Sequence, residues 1–170
     1  MIVIVLDPNV LRRALEEEKG LKGDEGTKLA YEIITELIKI KHEDIIFVIN
    51  EDTASEYYRH LEALKKRLKQ SRITPQSFKL LSSILRKMRK VPTENHKFEI
   101  EGEAIGRKDY YLLNSAKTGA LEFKVEDAFV LTFAQDVYRS KRAKNGHGVT
   151  IYLINLKDEK ERKLLAQRIT

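Results

Sequence analysis

The sequence predicts an α/β fold, a three-layer α/β/α sandwich around a mostly parallel central sheet. Three observations carry that expectation. Short, continuous apolar runs stand at Val3 to Leu6, Asp44 to Asn50 and Val149 to Ile154, as in strands whose sheet is covered on both faces. Segments with apolar residues at helical spacing separate them. Strands that alternate with helices pair in parallel, because each helix returns the chain to the starting edge of the sheet. In such sheets the functional crevice lies beyond the carboxyl ends of the strands.

The first run ends at Asp7-Pro8-Asn9 and feeds a helix, with Pro8 at the first helical position, where a missing N–H costs nothing. That helix carries Leu11 and Leu15 and ends near Gly20 and Gly23. Thr27 to Lys41 reads as a second helix, with Leu29, Ile33, Ile34 and Leu37 on one face. After the DIIFVIN strand, Thr53 opens a third helix bearing Tyr57, Leu61, Leu64 and Leu68, and Pro75 opens a fourth bearing Phe78, Leu81, Ile84 and Met88. Both end in basic clusters, Lys65, Lys66, Arg67 and Lys69 on one and Arg86, Lys87, Arg89 and Lys90 on the other.

Lys97 to Glu101 alternates, as a short strand or an extended loop does. Asp109 to Lys117 forms a short helix stopped by Gly119, and Leu121 to Val125 alternates as a strand. Asp127 then leads a helix through Val130, Leu131, Ala134 and Val137. A basic loop from Arg139 to Gly148, the last apolar strand and a helix from Asp158 complete the chain.

The 170 residues are 42% hydrophobic, enough for one core and too few for two comfortable ones. No cysteine is present, which excludes disulfides, thiolate metal sites and a cysteine nucleophile and suits a reducing compartment. The apolar start breaks at Asp7, too early for a signal peptide, and no apolar run could span a bilayer. The expectation is a cytoplasmic protein with no membrane partner. A net charge of +6 and a pI near 9.4 suit a polyanionic partner, and abundant Lys, Glu and Ile lean towards a thermophile.

Four acidic positions share one context. Asp7 ends the first strand, Glu56 lies in the first turn of the third helix, Asp109 opens a helix, and Asp127, with Glu126 beside it, opens the next. Singly, each is explained as a cap that binds free N–H groups and opposes the helix dipole. Thr53 and Glu56 have the spacing of a capping box. Gathered at one sheet edge, the same carboxylates would repel one another. A divalent cation would offset that, and oxygen-only ligands suit Mg²⁺ or Mn²⁺ rather than zinc.

These residues resemble the PIN domain, the nuclease fold of many RNA-cleaving proteins, including toxins of toxin–antitoxin pairs and rRNA-processing endonucleases. The resemblance rests on Ile4-Val5-Leu6-Asp7-Pro8-Asn9-Val10-Leu11 and on VINEDTASEYYRHL with Glu56. It extends to Asp109-Tyr110-Tyr111-Leu112 with Ala116, and to Glu126-Asp127-Ala128-Phe129-Val130-Leu131 with Ala134. It covers almost the whole chain in topology, as a single PIN-like domain over residues 1–170 with a basic helical and loop elaboration around 71–108. It implies an archaeal-type, metal-dependent endoribonuclease in which Asp7, Glu56, Asp109 and Asp127 are catalytic. Asp7, Asp109, Asp127 and Glu126 would bind Mg²⁺ or Mn²⁺, and Asn9 would support the first acid through its side-chain amide. RNA is the implied partner, with an antitoxin-like or RNA-processing protein and a homodimer as further partners. A competing register makes Asp127 the third acid and looks for the fourth after the last strand, at Asn155 with Asp158 nearby. The first register uses both short helices and keeps every acid at a helix start.

Three other features complete the expectation. His42, His60, His96 and His147 show no metal-ligand spacing and read as surface residues. One ring each of Tyr57-Tyr58 and Tyr110-Tyr111 belongs in the core and the other on the surface, and no glycine-rich phosphate loop follows a strand. Arg139, Lys141, Arg142 and Lys144 are the candidate nucleic-acid contacts. The alternative function is a PIN-like RNA-binding or assembly protein with a degenerate, inactive site. A receiver-like regulatory domain is disfavoured, because the acidic pair that precedes its acceptor Asp is absent.

Overall fold

The computed structural model describes residues 1–41, 44–70, 72–101, 110–133, 142–144 and 148–169. Its elements in chain order are β1 (Ile2–Leu6), α1 (Pro8–Glu18), α2 (Glu25–Lys39), β2 (Ile45–Ile49), α3 (Glu51–Leu68), α4 (Lys79–Lys87), β3 (Met88–Lys90), β4 (Glu99–Glu101), α5 (Tyr110–Glu122), β5 (Asp127–Thr132), β6 (Arg142–Lys144), β7 (Thr150–Asn155) and α6 (Glu159–Ile169). A single 3₁₀ turn, Pro75–Ser77, precedes α4. The sheet order is β3-β2-β1-β5-β7-β6-β4. The first five strands run parallel, and β6 and β4 join antiparallel at the edge.

Strand alternation builds the three layers, because successive side chains point to opposite faces. Ile4, Leu6, Ile45, Phe47, Phe129, Leu131 and Ile154 face one core, shared with apolar residues of α1, α2, α3, α4 and α6. Val3, Val5, Ile46, Val48, Ala128, Val130, Ile151 and Leu153 face a second core, covered by Leu112, Leu113, Ala116 and Ala120 of α5. The α/β sandwich with a mostly parallel sheet is therefore the fold. Among the described residues no helix is long and apolar enough to cross a membrane.

Helix ends are held by specific side chains. Asp24 accepts from Thr27 N at 3.2 Å and caps α2. The Glu18 carboxylate reaches across from α1 to accept from Lys79 N and Leu80 N, at 3.1 and 2.7 Å, at the start of α4. Lys87, only 5% exposed, donates Nζ to Ile40 O at 2.6 Å just past the end of α2. One member of the second basic cluster is thus a buried tether rather than solvated charge.

Several elements differ from the sequence expectation. Residues 121–125 are the end of α5 and a turn, and the strand is Asp127–Thr132, where a helix was expected. A strand buried on both faces has no alternation, so DAFVLT carries no periodic signal to distinguish it from a buried helix. Helix α5 runs through Gly119 to Glu122. It ends where Lys124 takes a left-handed conformation (φ 56) and Val125 N donates to Ala120 O at 2.9 Å. Gly119 is there for space: a Cβ on it would lie 2.8 Å from Val48 Cγ1 and 3.1 Å from Val3 Cγ1, so the glycine lets α5 lie close on β1 and β2. Helix α4 stops at Lys87, so Met88 begins β3 rather than extending the helix. Lys97 to Glu101 does contain a strand, β4.

Candidate active site at the switch point

The chain leaves β1 for β2 and β3 on one side, then returns to place β5 and β7 on the other. The carboxyl ends of β1 and β5 therefore flank the topological switch point, where open α/β sheets form their binding crevice. Asp7 stands there. Its N–H donates to Leu131 O at 2.9 Å, which continues the β1–β5 ladder by one residue and sets Asp7 beside Thr132. Thr132 is paired in register with Asn155. Ile4 is paired with Phe47, so Asn50, three residues on, is Asp7's neighbour on the other side. Asn50, Asp7, Thr132 and Asn155 thus form a polar row across the ends of four apolar strands.

The row is locked. Asp7 caps α1 through Oδ1, which accepts from Asn9 N at 3.1 Å, and its Oδ2 accepts from Thr132 Oγ1 at 2.8 Å. Tyr57, 6% exposed, donates its hydroxyl to Leu6 O at 2.5 Å, fixing α3 against the end of β1. Tyr58 next to it is 67% exposed, the expected division of that pair; Tyr110 and Tyr111 are instead both partly buried. Asn155 Oδ1 accepts from Lys157 N at 3.0 Å, and its N–H donates to the Glu161 carboxylate, so it shapes the turn into α6. Asn50 Oδ1 accepts from Thr53 N at 2.9 Å, while its buried Nδ2 has no partner among the described residues.

Burial pushes the Asp7 carboxyl above the usual carboxylate range, and the nearby Glu56 charge adds to the rise, against the lowering effect of Asn9 N–H, the Thr132 hydroxyl and His60. Burial also raises the Tyr57 hydroxyl, with the Asp7 charge second. Among the described residues Asp7 belongs to no ion pair. Asp7 is part-buried, and holding a carboxylate charge there without a cation is costly, whereas Asn would cap α1 about as well. A carboxyl with its pKa raised by folding binds its proton more tightly in the fold than in the unfolded chain. Its contribution therefore favours the fold at acid pH and is lost as pH rises from about 4 through the folded-state pKa. Asp7→Asn removes that loss. The variant is expected to be about 1 kcal/mol more stable than the wild type at pH 7, a usual size for a stabilising change. The gap should close as pH falls towards 4, as followed by urea unfolding across pH; a less stable variant at pH 7 would refute this cost.

The other expected site residues divide between the two edges of the sheet. Glu56 lies in the second turn of α3, since the helix starts two residues earlier than expected and its capping box is Asn50 with Thr53. Its carboxylate pairs with Arg59 at 2.5 Å rather than capping, and its charge reaches Asp7. Asp127 and Glu126 do not join them. Asp127 begins β5, which runs parallel to β1, so it sits at the amino-terminal edge, a full strand length from Asp7. There it pairs with Arg168 at 3.0 Å, and the exposed Glu126 accepts from Thr150 N through its main-chain oxygen at 2.8 Å. Asn9 supports Asp7 through its main-chain N–H; its side-chain Oδ1 instead accepts from Arg12 at 3.1 Å. Asp109, Arg139 and Lys141 lie outside the described residues, as do His42, His147 and the side chains of Arg142 and Lys144. His60 and His96 are partly buried rather than on the surface, with His96 held at 2.9 Å to Thr118.

Thr132, Asn50, Tyr57 as an anchor and His60 join the candidate site from the structure alone. Thr132 carried one available signal, a hydroxyl at the end of an otherwise apolar run.

Among the described residues no three His, Asp or Glu side chains come together to hold a metal ion. The donors present at the switch point are nevertheless of the right kind: a part-buried Asp7 carboxyl that belongs to no ion pair among the described residues, and Glu56 near enough to raise its pKa. Hard oxygen donors of this sort suit Mg²⁺ or Mn²⁺. The chain has no match among protein-family models, curated proteins or solved structures.

Proposed function

We propose that the protein is a PIN-like, metal-dependent endoribonuclease that works at the carboxyl ends of β1 and β5. The observation that carries this reading is Asp7. It is a part-buried carboxylate at the topological switch point, fixed by Thr132 and Asn9 and paired with no cation among the described residues. Perturbed carboxyls in a crevice are a recognised mark of functional sites, since catalysis and metal binding need such groups.

In this reading Asp7 would hold Mg²⁺ or Mn²⁺, Glu56 would join it by exchanging its Arg59 partner for the ion, and Asp109, which precedes the first turn of α5 in sequence, would be the third acid. The ion would supply neutralising charge for the phosphodiester and a water of lowered pKa. The chain's own contribution is position. Thr132 donates to Oδ2 and aims the carboxyl, Tyr57 holds the end of β1, and the first turns of α1 and α3 present positive dipole ends to an anionic backbone. The +6 net charge supplies the long-range attraction for RNA.

A PIN-like RNA-binding or assembly protein with an inactive site is the second reading. It is favoured by one observation, the placement of Asp127 and Glu126 at the far edge of the sheet. Cleavage of single-stranded RNA with Mn²⁺ separates the two. The wild type and Asp127→Asn are expected to cleave within about a factor of two of each other, and Asp127→Asn should lose less than about 1 kcal/mol of stability, because its partly exposed pair with Arg168 is screened. Loss of cleavage in Asp127→Asn would show that the working edge has been misassigned. RNA bound but left intact by the wild type would establish the second reading.

A further inference from the structure

We propose that Arg12, Arg59 and His60 form an anion subsite beside Asp7 that takes a backbone phosphate of the bound RNA. A small cavity opens between α1 and α3, lined by Arg12, Arg59, His60 and Ala63. Two of these side chains carry a buried nitrogen with no hydrogen-bond partner among the described residues, Arg12 Nε and His60 Nδ1. Buried polar atoms without a partner are costly, so native proteins rarely leave them unfilled. The neighbours do not fill the need. Glu16 binds Arg67 at 2.9 Å and stays 3.7 Å from Arg12 Nε. Glu56 is taken by Arg59, and Asn9 occupies only one terminal nitrogen of Arg12.

An arginine offers donors alone, so the missing ligand must bring acceptor oxygens, and the Arg12 guanidinium favours an anionic one. Burial and the Arg12 charge hold the His60 pKa down. Asp7 and Glu56 are both close enough to act on His60. A phosphate here would thus lie next to the proposed cleavage site, as a flanking phosphate on the same strand does. Ala63, small and exposed, keeps the mouth open.

The subsite rests on the RNA reading above, and the test separates the two. Binding of a fluorescent single-stranded oligoribonucleotide of about twelve nucleotides, within the usual site size, is followed by anisotropy in EDTA and in Ca²⁺ at several salt concentrations. Arg12→Gln is expected to weaken binding about tenfold and to lower the log–log salt slope by about 0.7, the single-strand increment per contact. Ala63→Glu, which places a carboxylate at the mouth on an exposed helix position, should weaken binding several-fold even if Arg12→Gln folds poorly. Lys28→Gln on the outside of α2 serves as the control and should leave the slope unchanged. Wild-type affinity and slope in both cavity variants would overturn the subsite while leaving the nuclease reading intact. Failure of the wild type to bind this RNA in either condition would overturn both.

Discussion

Asp7→Asn should lose RNA cleavage by about a hundredfold or more, with the fold intact. The several kcal/mol that a cation contributes to a phosphodiester's developing charge depends on the carboxylate that holds it, and each 1.4 kcal/mol is a factor of ten in rate. The substitution is close to isosteric, and the amide oxygen can still accept from Asn9 N, so α1 keeps its cap. What changes is charge. Combined with the stability gain expected at neutral pH, this gives a signature that a merely structural residue would not show, in which activity falls while the thermal midpoint rises. If Asp7→Asn cleaves as the wild type does, the activity belongs to another site or to a contaminant.

Gly119→Val should be the most destabilising single change at a site remote from the crevice, by about 3 kcal/mol, the upper part of the range for overpacking a filled core. The first added carbon already lies 2.8 Å from Val48 Cγ1 and 3.1 Å from Val3 Cγ1. Its branches must go further into β1 and β2 or tilt α5 away from them, and a β-branched residue also loses rotamer freedom in a helix. For a domain of this size the thermal midpoint should fall by roughly 6–12 °C. Gly119→Ala is the informative partner. It gains about 1 kcal/mol of helix propensity yet meets the same valines, so a net loss is expected. A rise in midpoint for the alanine variant would mean that α5 can back off the sheet at no cost.

Much of the fold was legible because the physics behind it is local. MIVIVLDPN and DIIFVIN declare buried strands followed by caps and give β1, α1, β2 and α3, while the helical period over Thr27 to Lys41 and the apolar run Val149 to Ile154 give α2 and β7. The errors have one origin each. DAFVLT has neither a helical nor an alternating signature, since both of its faces are buried, and the apolar residues beyond it happen to continue a helical period. LEFKV alternates but is the end of a helix whose surroundings bury almost every side chain from Leu112 to Ala120. Gly119 looks like a stop, although its cause is contact with strands far away in sequence. Thr53 and Glu56 fit a capping box, but Asn50 and Thr53 fit one too, and the structure uses the earlier pair.

These local errors explain the partial view of the site. Asp7 was recognisable because its strand, cap and helix are contiguous. Asp127 was misplaced by one element, and in a parallel sheet that carries a residue from one edge to the other. Thr132 and His60 reach Asp7 only through the folded arrangement of β5 and α3, as no spacing in the sequence announces them.

The most direct test of the central claim is Mn²⁺ binding at pH 7, followed by electron paramagnetic resonance of the free ion, for the wild type and for Asp7→Asn. Uptake of Mn²⁺ by the wild type that is lost in the asparagine variant is the expected result. A wild type that binds none, or a variant that binds as well, would contradict the assignment of Asp7 as the carboxylate around which this site is built.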